Sequence, residues 1–102
     1  MKILISESAF TDLQNIIEYY KEQEVPTVGT KMVNAIIEHI QVLTSHPDIG
    51  RKVPEFNEDY IREIIHPPFR IVYLRKSTTV QIIRVWRSER ILKLPLVDMS
   101  AI

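Results

Sequence analysis

Three short apolar runs dominate the second half of the chain: IREII at 61–65, FRIVYL at 69–74 and VQIIRVW at 80–86. Each is rich in β-branched and aromatic residues, the composition of strands. The triplet His66-Pro67-Pro68 and the polar stretch Lys76-Ser77-Thr78-Thr79 separate them as turns, and the pattern predicts a three-stranded antiparallel meander. The first half has a different period. KILI makes residues 1–5 a short strand, and Ser6 then suits a helix N-cap with Glu7 in the first turn. Ala9, Leu13, Ile16, Ile17 and Tyr20 recur at the spacing of one helix face, while Asp12, Gln14, Asn15, Glu18 and Glu22 fill the other.

Pro26 ends this helix near Glu24 and opens a second one, because proline restricts the residue before it yet fits a first helical turn. The second helix is predicted to run to about Ser45, with Met32, Val33, Ile36, Ile37, Ile40 and Leu43 as its apolar stripe. The short connection at Val25 makes the pair an antiparallel hairpin. Asp48-Ile49-Gly50 turns the chain, and residues 51–59 form a polar connection. The expected fold is α+β, in the order β-α-α-β-β-β: an antiparallel sheet with a helical hairpin on one face. Alternation places Ile61 and Ile65, Phe69, Ile71 and Tyr73, and Ile83 and Val85 against the helices. Arg62, Arg70, Arg84 and Trp86 then fall on the open face.

Composition narrows the class. A chain of 102 residues with 45% hydrophobic and 25% charged residues is expected to form one globular domain over residues 1–102. The first ten residues carry one lysine and a very short apolar piece, unlike a secretory signal. No apolar run spans a bilayer, and the absence of cysteine fits a reducing cytoplasm. Two glycines cannot build a glycine-rich phosphate loop. The histidines at 39, 46 and 66 lack metal-ligand spacing, so neither a metal nor a cofactor is expected.

Charge is neutral overall but asymmetric. Residues 1–50 hold 3 Lys/Arg against 7 Asp/Glu, whereas residues 60–93 hold 8 against 2. Arginines on strands are either solvated positions that discourage edge pairing or an anion-facing patch. Arg84, Arg87 and Arg90 surround Trp86, and such Trp–Arg groupings are typical of binding hot spots.

The segments SAFTDLQNIIEYY, HPDIGRKVPEF, IREI, FRIVYL and VQIIRVWRSERIL, in this order, resemble the RelE/ParE superfamily of small toxins from type II toxin–antitoxin modules. The resemblance runs from the first strand to about Leu92. In the RelE-like branch it implies a ribosome-dependent mRNA interferase with basic catalytic side chains. The positions of that branch's two lysines fall here at Ile61 and Glu63, that of a later arginine at Ser88, and that of a tail tyrosine at Leu94. Only Arg70 matches. The His-Tyr ending of another nuclease subfamily is also absent.

VPEF, IREI and VWRSERIL are closer to the ParE-like branch, whose members resemble one another as inhibitors of DNA gyrase and stabilise plasmids. Where many of those chains carry His and Arg, this one has Arg87 and Glu89. The resemblance implies a cytoplasmic toxin that acts by binding, with no catalytic residues. Its partners would be a cognate antitoxin and DNA gyrase, in a homodimer or a hetero-oligomer with the antitoxin. Arg62, Arg70, Arg84, Trp86, Arg87 and Arg90 are the expected contacts to target and antitoxin. The alternatives are an mRNA interferase using Arg70 on the ribosome, and a non-toxic scaffold that retains antitoxin recognition.

Overall fold

The computed structural model describes residues 1–88. Strand β1 (Lys2–Ile5) leads into helices α1 (Glu7–Glu22) and α2 (Pro26–Gln41), and a single 3₁₀ turn (Val42–Thr44) extends the second helix. A two-residue strand β2 (Arg51–Lys52) precedes the meander of β3 (Ile61–His66), β4 (Phe69–Arg75) and β5 (Thr79–Arg87). The α+β order is the expected one. The sheet order is β1-β5-β4-β3-β2, antiparallel except where β1 joins β5 in parallel.

The helix ends follow the local chemistry. Ser6 caps α1, its hydroxyl accepting from the Ala9 N–H at 3.1 Å. The helix stops at Glu22, two residues before the expected Glu24, which adopts a left-handed φ of 62°. Pro26 occupies the first turn of α2. The helices approach closely at Gly29, where an added Cβ would stand 3.0 Å from the Cβ of Tyr20.

The core lies between the helices and one sheet face. Ala9, Leu13 and Ile16 of α1 and Val33, Ile36 and Ile40 of α2 pack on Ile64, Phe69, Ile71, Tyr73, Val80, Ile82 and Val85. Strand β4 faces the way alternation predicts. Strand β3 faces the opposite way: Ile64 is 7% exposed and Ile65 is 41%. Register explains the correction, since Ile64 pairs with Ile71 and Arg62 with Tyr73, which places Arg62 on the helix side. Strand β5 obeys the prediction only in part. The register shifts between Val72, opposite Arg84, and Tyr73, opposite Ile82. This bulge adds a residue to β5, so Val85 and Ile82 both reach the core although their positions differ by an odd number.

Tyr73 anchors the bottom of the core at 0% exposure. Its hydroxyl donates to the Pro47 carbonyl at 2.8 Å and accepts the Gly50 N–H at 3.0 Å. A Cβ at Gly50 would meet that hydroxyl at 2.5 Å, so only glycine permits the approach. Burial pushes the Tyr73 phenol above its ordinary range.

Two substitutions test this packing by urea unfolding. Ile71→Ala should cost about 2–5 kcal/mol, because a fully buried side chain leaves a cavity. Tyr73→Phe should cost about 1–3 kcal/mol, because it strands the Gly50 donor and the Pro47 acceptor. A loss below about half a kcal/mol for either would contradict the assigned core.

Candidate binding site

The face of the sheet away from the helices is not an open arginine surface. Cross-strand pairing puts Glu63 beside Val72 and Arg51, and Arg70 beside Ile65 and Trp86, all on this side. The segment after β2 folds over them. Val53 is buried, the Phe56 and Asn57 N–H groups return to its carbonyl, and Asn57 takes a left-handed φ of 51°. The tight turn lowers Glu55 onto the sheet.

Arg70 is consumed there. Its Nε donates to Glu63 Oε1 at 2.5 Å, and its Nη1 and Nη2 donate to the two oxygens of Glu55, each at 2.8 Å. The Arg51 Nε takes the second Glu63 oxygen at 2.6 Å. Glu63 and Arg70 are only 1% and 4% exposed. The hydrogen bonds from Arg70 hold the Glu55 carboxyl below its usual range, and Glu55 in turn raises the guanidinium. VPEF, IREI and FRIVYL are thus three parts of one ion cluster.

The other predicted arginines are placed differently. Arg62, on the helix side, donates from Nη1 to the Gly50 carbonyl at 2.9 Å, and its buried Nε has no hydrogen-bond partner. Arg84 reaches around the edge of β5 to Asp12, with Nε–Oδ2 at 2.8 Å and Nη2–Oδ1 at 2.9 Å. Asp12 was expected on the solvent side of α1 but is buried. Its position follows from topology. Strand β1 ends opposite Ile82, so further along β5 the Val85 N–H needs another acceptor, and Asp12 Oδ2 supplies it at 2.9 Å.

Trp86 and Arg87 remain, both half-buried. They border a groove between α1 and the end of β5, lined also by Ile16, Tyr19, Phe69 and Val85. The Arg84 guanidinium lies 4.6 Å from the Trp86 ring centre, and that of Arg87 lies 5.7 Å from Tyr19 and 5.6 Å from Phe69. These distances are within cation–π range. Arg90, and the positions Ser88 aside that the nuclease comparison used in the tail, lie outside the described residues. Sequence reasoning missed Tyr19 and Phe69 as groove residues, Asp12 and Glu55 as partners, and the meeting of His39 with His66. Their Nδ1 atoms are 3.0 Å apart. Among the described residues no three His, Cys, Asp or Glu side chains form a metal site, and no helix is long and apolar enough to cross a membrane.

Arg70→Ala should destabilise the fold by about 3 kcal/mol, the low end for a broken buried pair, because Arg51 still reaches Glu63. The lowered Glu55 carboxyl sets an acid window. Its stabilisation is complete above the ordinary value of 4.5 and is lost as pH falls through the lower folded value. Glu55→Gln should flatten the stability profile below pH 4.5, measured by urea unfolding at successive pH values.

Comparison with known proteins identifies the family. Residues 3–92 match the family described as the ParE toxin of type II toxin-antitoxin system, parDE. A solved structure of the chromosomal ParDE TA system from P. aeruginosa superimposes with a TM-score of 0.71 at 26% identity, covering 85% of this chain and 95% of that one. No curated protein sequence matches. The match over most of the chain, together with the shared fold, shows that this protein belongs to the ParE toxin family of type II toxin–antitoxin systems.

Proposed function

We propose that this chain is a toxin that acts by binding, inhibits DNA gyrase, and is neutralised by a cognate antitoxin in the cytoplasm. The state of Arg70 carries the reading. An mRNA interferase needs cationic groups free to meet a phosphate and stabilise its transition state. Here all three guanidinium nitrogens of Arg70 are spent on Glu63 and Glu55, and a carboxylate stands where the nuclease branch has a lysine.

The groove bordered by Trp86 and Arg87 is the proposed contact surface for antitoxin and target, with Arg84 behind it and Arg90 following in sequence. Its aromatic floor suits an apolar anchor, and Arg87 at the rim suits a neighbouring carboxylate. An amphipathic antitoxin helix carrying both would meet these demands. Arg62 and Arg70 contribute indirectly, by holding the sheet that presents the groove. The similar P. aeruginosa protein is part of a ParDE TA system, which supports an antitoxin partner for this chain as well.

Purified protein should lower gyrase supercoiling and should leave mRNA on programmed ribosomes intact. Codon-phased cleavage in primer extension, abolished by Arg70→Ala, would overturn the proposal in favour of the interferase. Trp86→Ala and Arg87→Glu should each weaken antitoxin binding, read by calorimetric titration, or gyrase inhibition. Both should melt close to the parent because neither side chain belongs to the buried core. A normal melt with unchanged binding and inhibition would remove the groove from the proposed site.

A further inference from the structure

The His39–His66 contact joins α2 to the β3–β4 turn at the edge of the core. The ring centres are 5.2 Å apart and the Nδ1 atoms 3.0 Å apart, so both nitrogens lie between the rings, near the line joining their centres. That is the geometry of an N–H···N hydrogen bond, in which one ring presents Nδ1–H and the other its lone pair. Adding one proton to the pair preserves the bond, as N–H⁺···N. Adding a second leaves two donors and two cations face to face, and the contact must open.

The surroundings leave this chemistry undiluted. One helical turn from His39 stand Ala35, Ile36, Val42 and Leu43, none charged, while the adjacent Glu38 is exposed. His66 shares its sheet face with Ile64, Phe69 and Arg87, whereas Glu63 and Arg70 belong to the opposite face. Burial and the charge of His39 hold the His66 imidazole below its usual range. His46 is exposed.

The turn connects directly to the groove. His66 is followed by Pro67 and Pro68, whose peptide bond is cis, and then by Phe69 in the groove wall. The Pro68 carbonyl accepts the Ser88 N–H at 2.8 Å, and Phe69 pairs across the strands with Arg87. A displacement at His66 therefore has a short covalent and hydrogen-bonded route to the groove rim. We propose that the His39–His66 pair is a proton-operated latch that pins the β3–β4 turn to α2 and so sets the shape of the groove at Phe69, Trp86 and Arg87. It makes the groove sensitive to acidification, whatever ligand occupies it.

Trp86 is the single tryptophan of the chain, so its emission reads the groove without labelling. The full chain is titrated from about pH 7.5 to about pH 5, where carboxylates stay largely ionised, at a temperature well below melting. Tryptophan emission and ring ¹⁵N shifts of the histidines are followed together. The wild type should show a change in Trp86 emission with a midpoint below the ordinary histidine value of 6.5, and the His66 ring shifts should move over the same pH range. His66→Gln and His39→Gln should each abolish the emission change, while His46→Gln should preserve it. Melting temperature over the same range should fall more steeply in the wild type than in His66→Gln, because the unfolded chain takes up a proton that the buried His66 refuses. Emission that stays flat in the wild type, or a change that survives in both latch variants, overturns the proposal. Should one variant fail to fold, the other variant and the ring shifts decide. Failure here would leave the gyrase and antitoxin proposal standing, since the titration contains neither partner.

Discussion

Glu63 imposes the constraint around which one side of the molecule is arranged. A carboxylate in the middle of a sheet and 1% exposed is untenable unless both oxygens are matched by cations. Arg70 from the next strand and Arg51 from β2 meet that demand. Arg70 then has two nitrogens left, and Glu55 takes both, which obliges the segment after β2 to fold back over the sheet. The cluster therefore decides where a connection without regular secondary structure must lie. It also explains how Val72, outside the helix-packed core, is nevertheless buried.

Much of the architecture was legible because it rests on local signals. Ser6, Pro26 and the three apolar runs mark helix starts and strands through chemistry confined to a few residues. Strand facing was less legible. IREIIH holds isoleucines at positions of both parities, so alternation alone cannot say which parity meets the helices, and long-range pairing with β4 decides. In β5 the bulge resets the alternation partway, and no residue in TVQIIRVWR announces it.

The candidate site was hardest to read for a related reason. A positive count in sequence measures charges without their partners. Arg84 and Asp12 are 72 residues apart, and Arg70 and Glu55 are 15 apart. Both partners looked like solvated polar positions until the topology brought them in. Trp86 and Arg87 stood out in the sequence, but their groove also needs Tyr19 from α1 and Phe69 from β4. Family motifs carried the missing information in compressed form: VPEF and IREI contribute the two acids that FRIVYL requires.

The sheet face that would offer cations to RNA is here neutralised from within, since Glu55 and Glu63 offset Arg51 and Arg70. At the edge, Asp12 offsets Arg84 and occupies the Val85 donor, which closes that point of β5 to strand addition. We propose that recognition is shifted to the end of β5, where the Arg87 guanidinium lies 5.7 Å from the Tyr19 ring centre and 5.6 Å from that of Phe69. A guanidinium stacked on a ring keeps donors in its plane for a new carboxylate or phosphate. An arginine clamped between two glutamates does not. A count of positive charges therefore does not say which arginines can meet a ligand; the acids already bound to Arg70 and Arg84 must be counted with them.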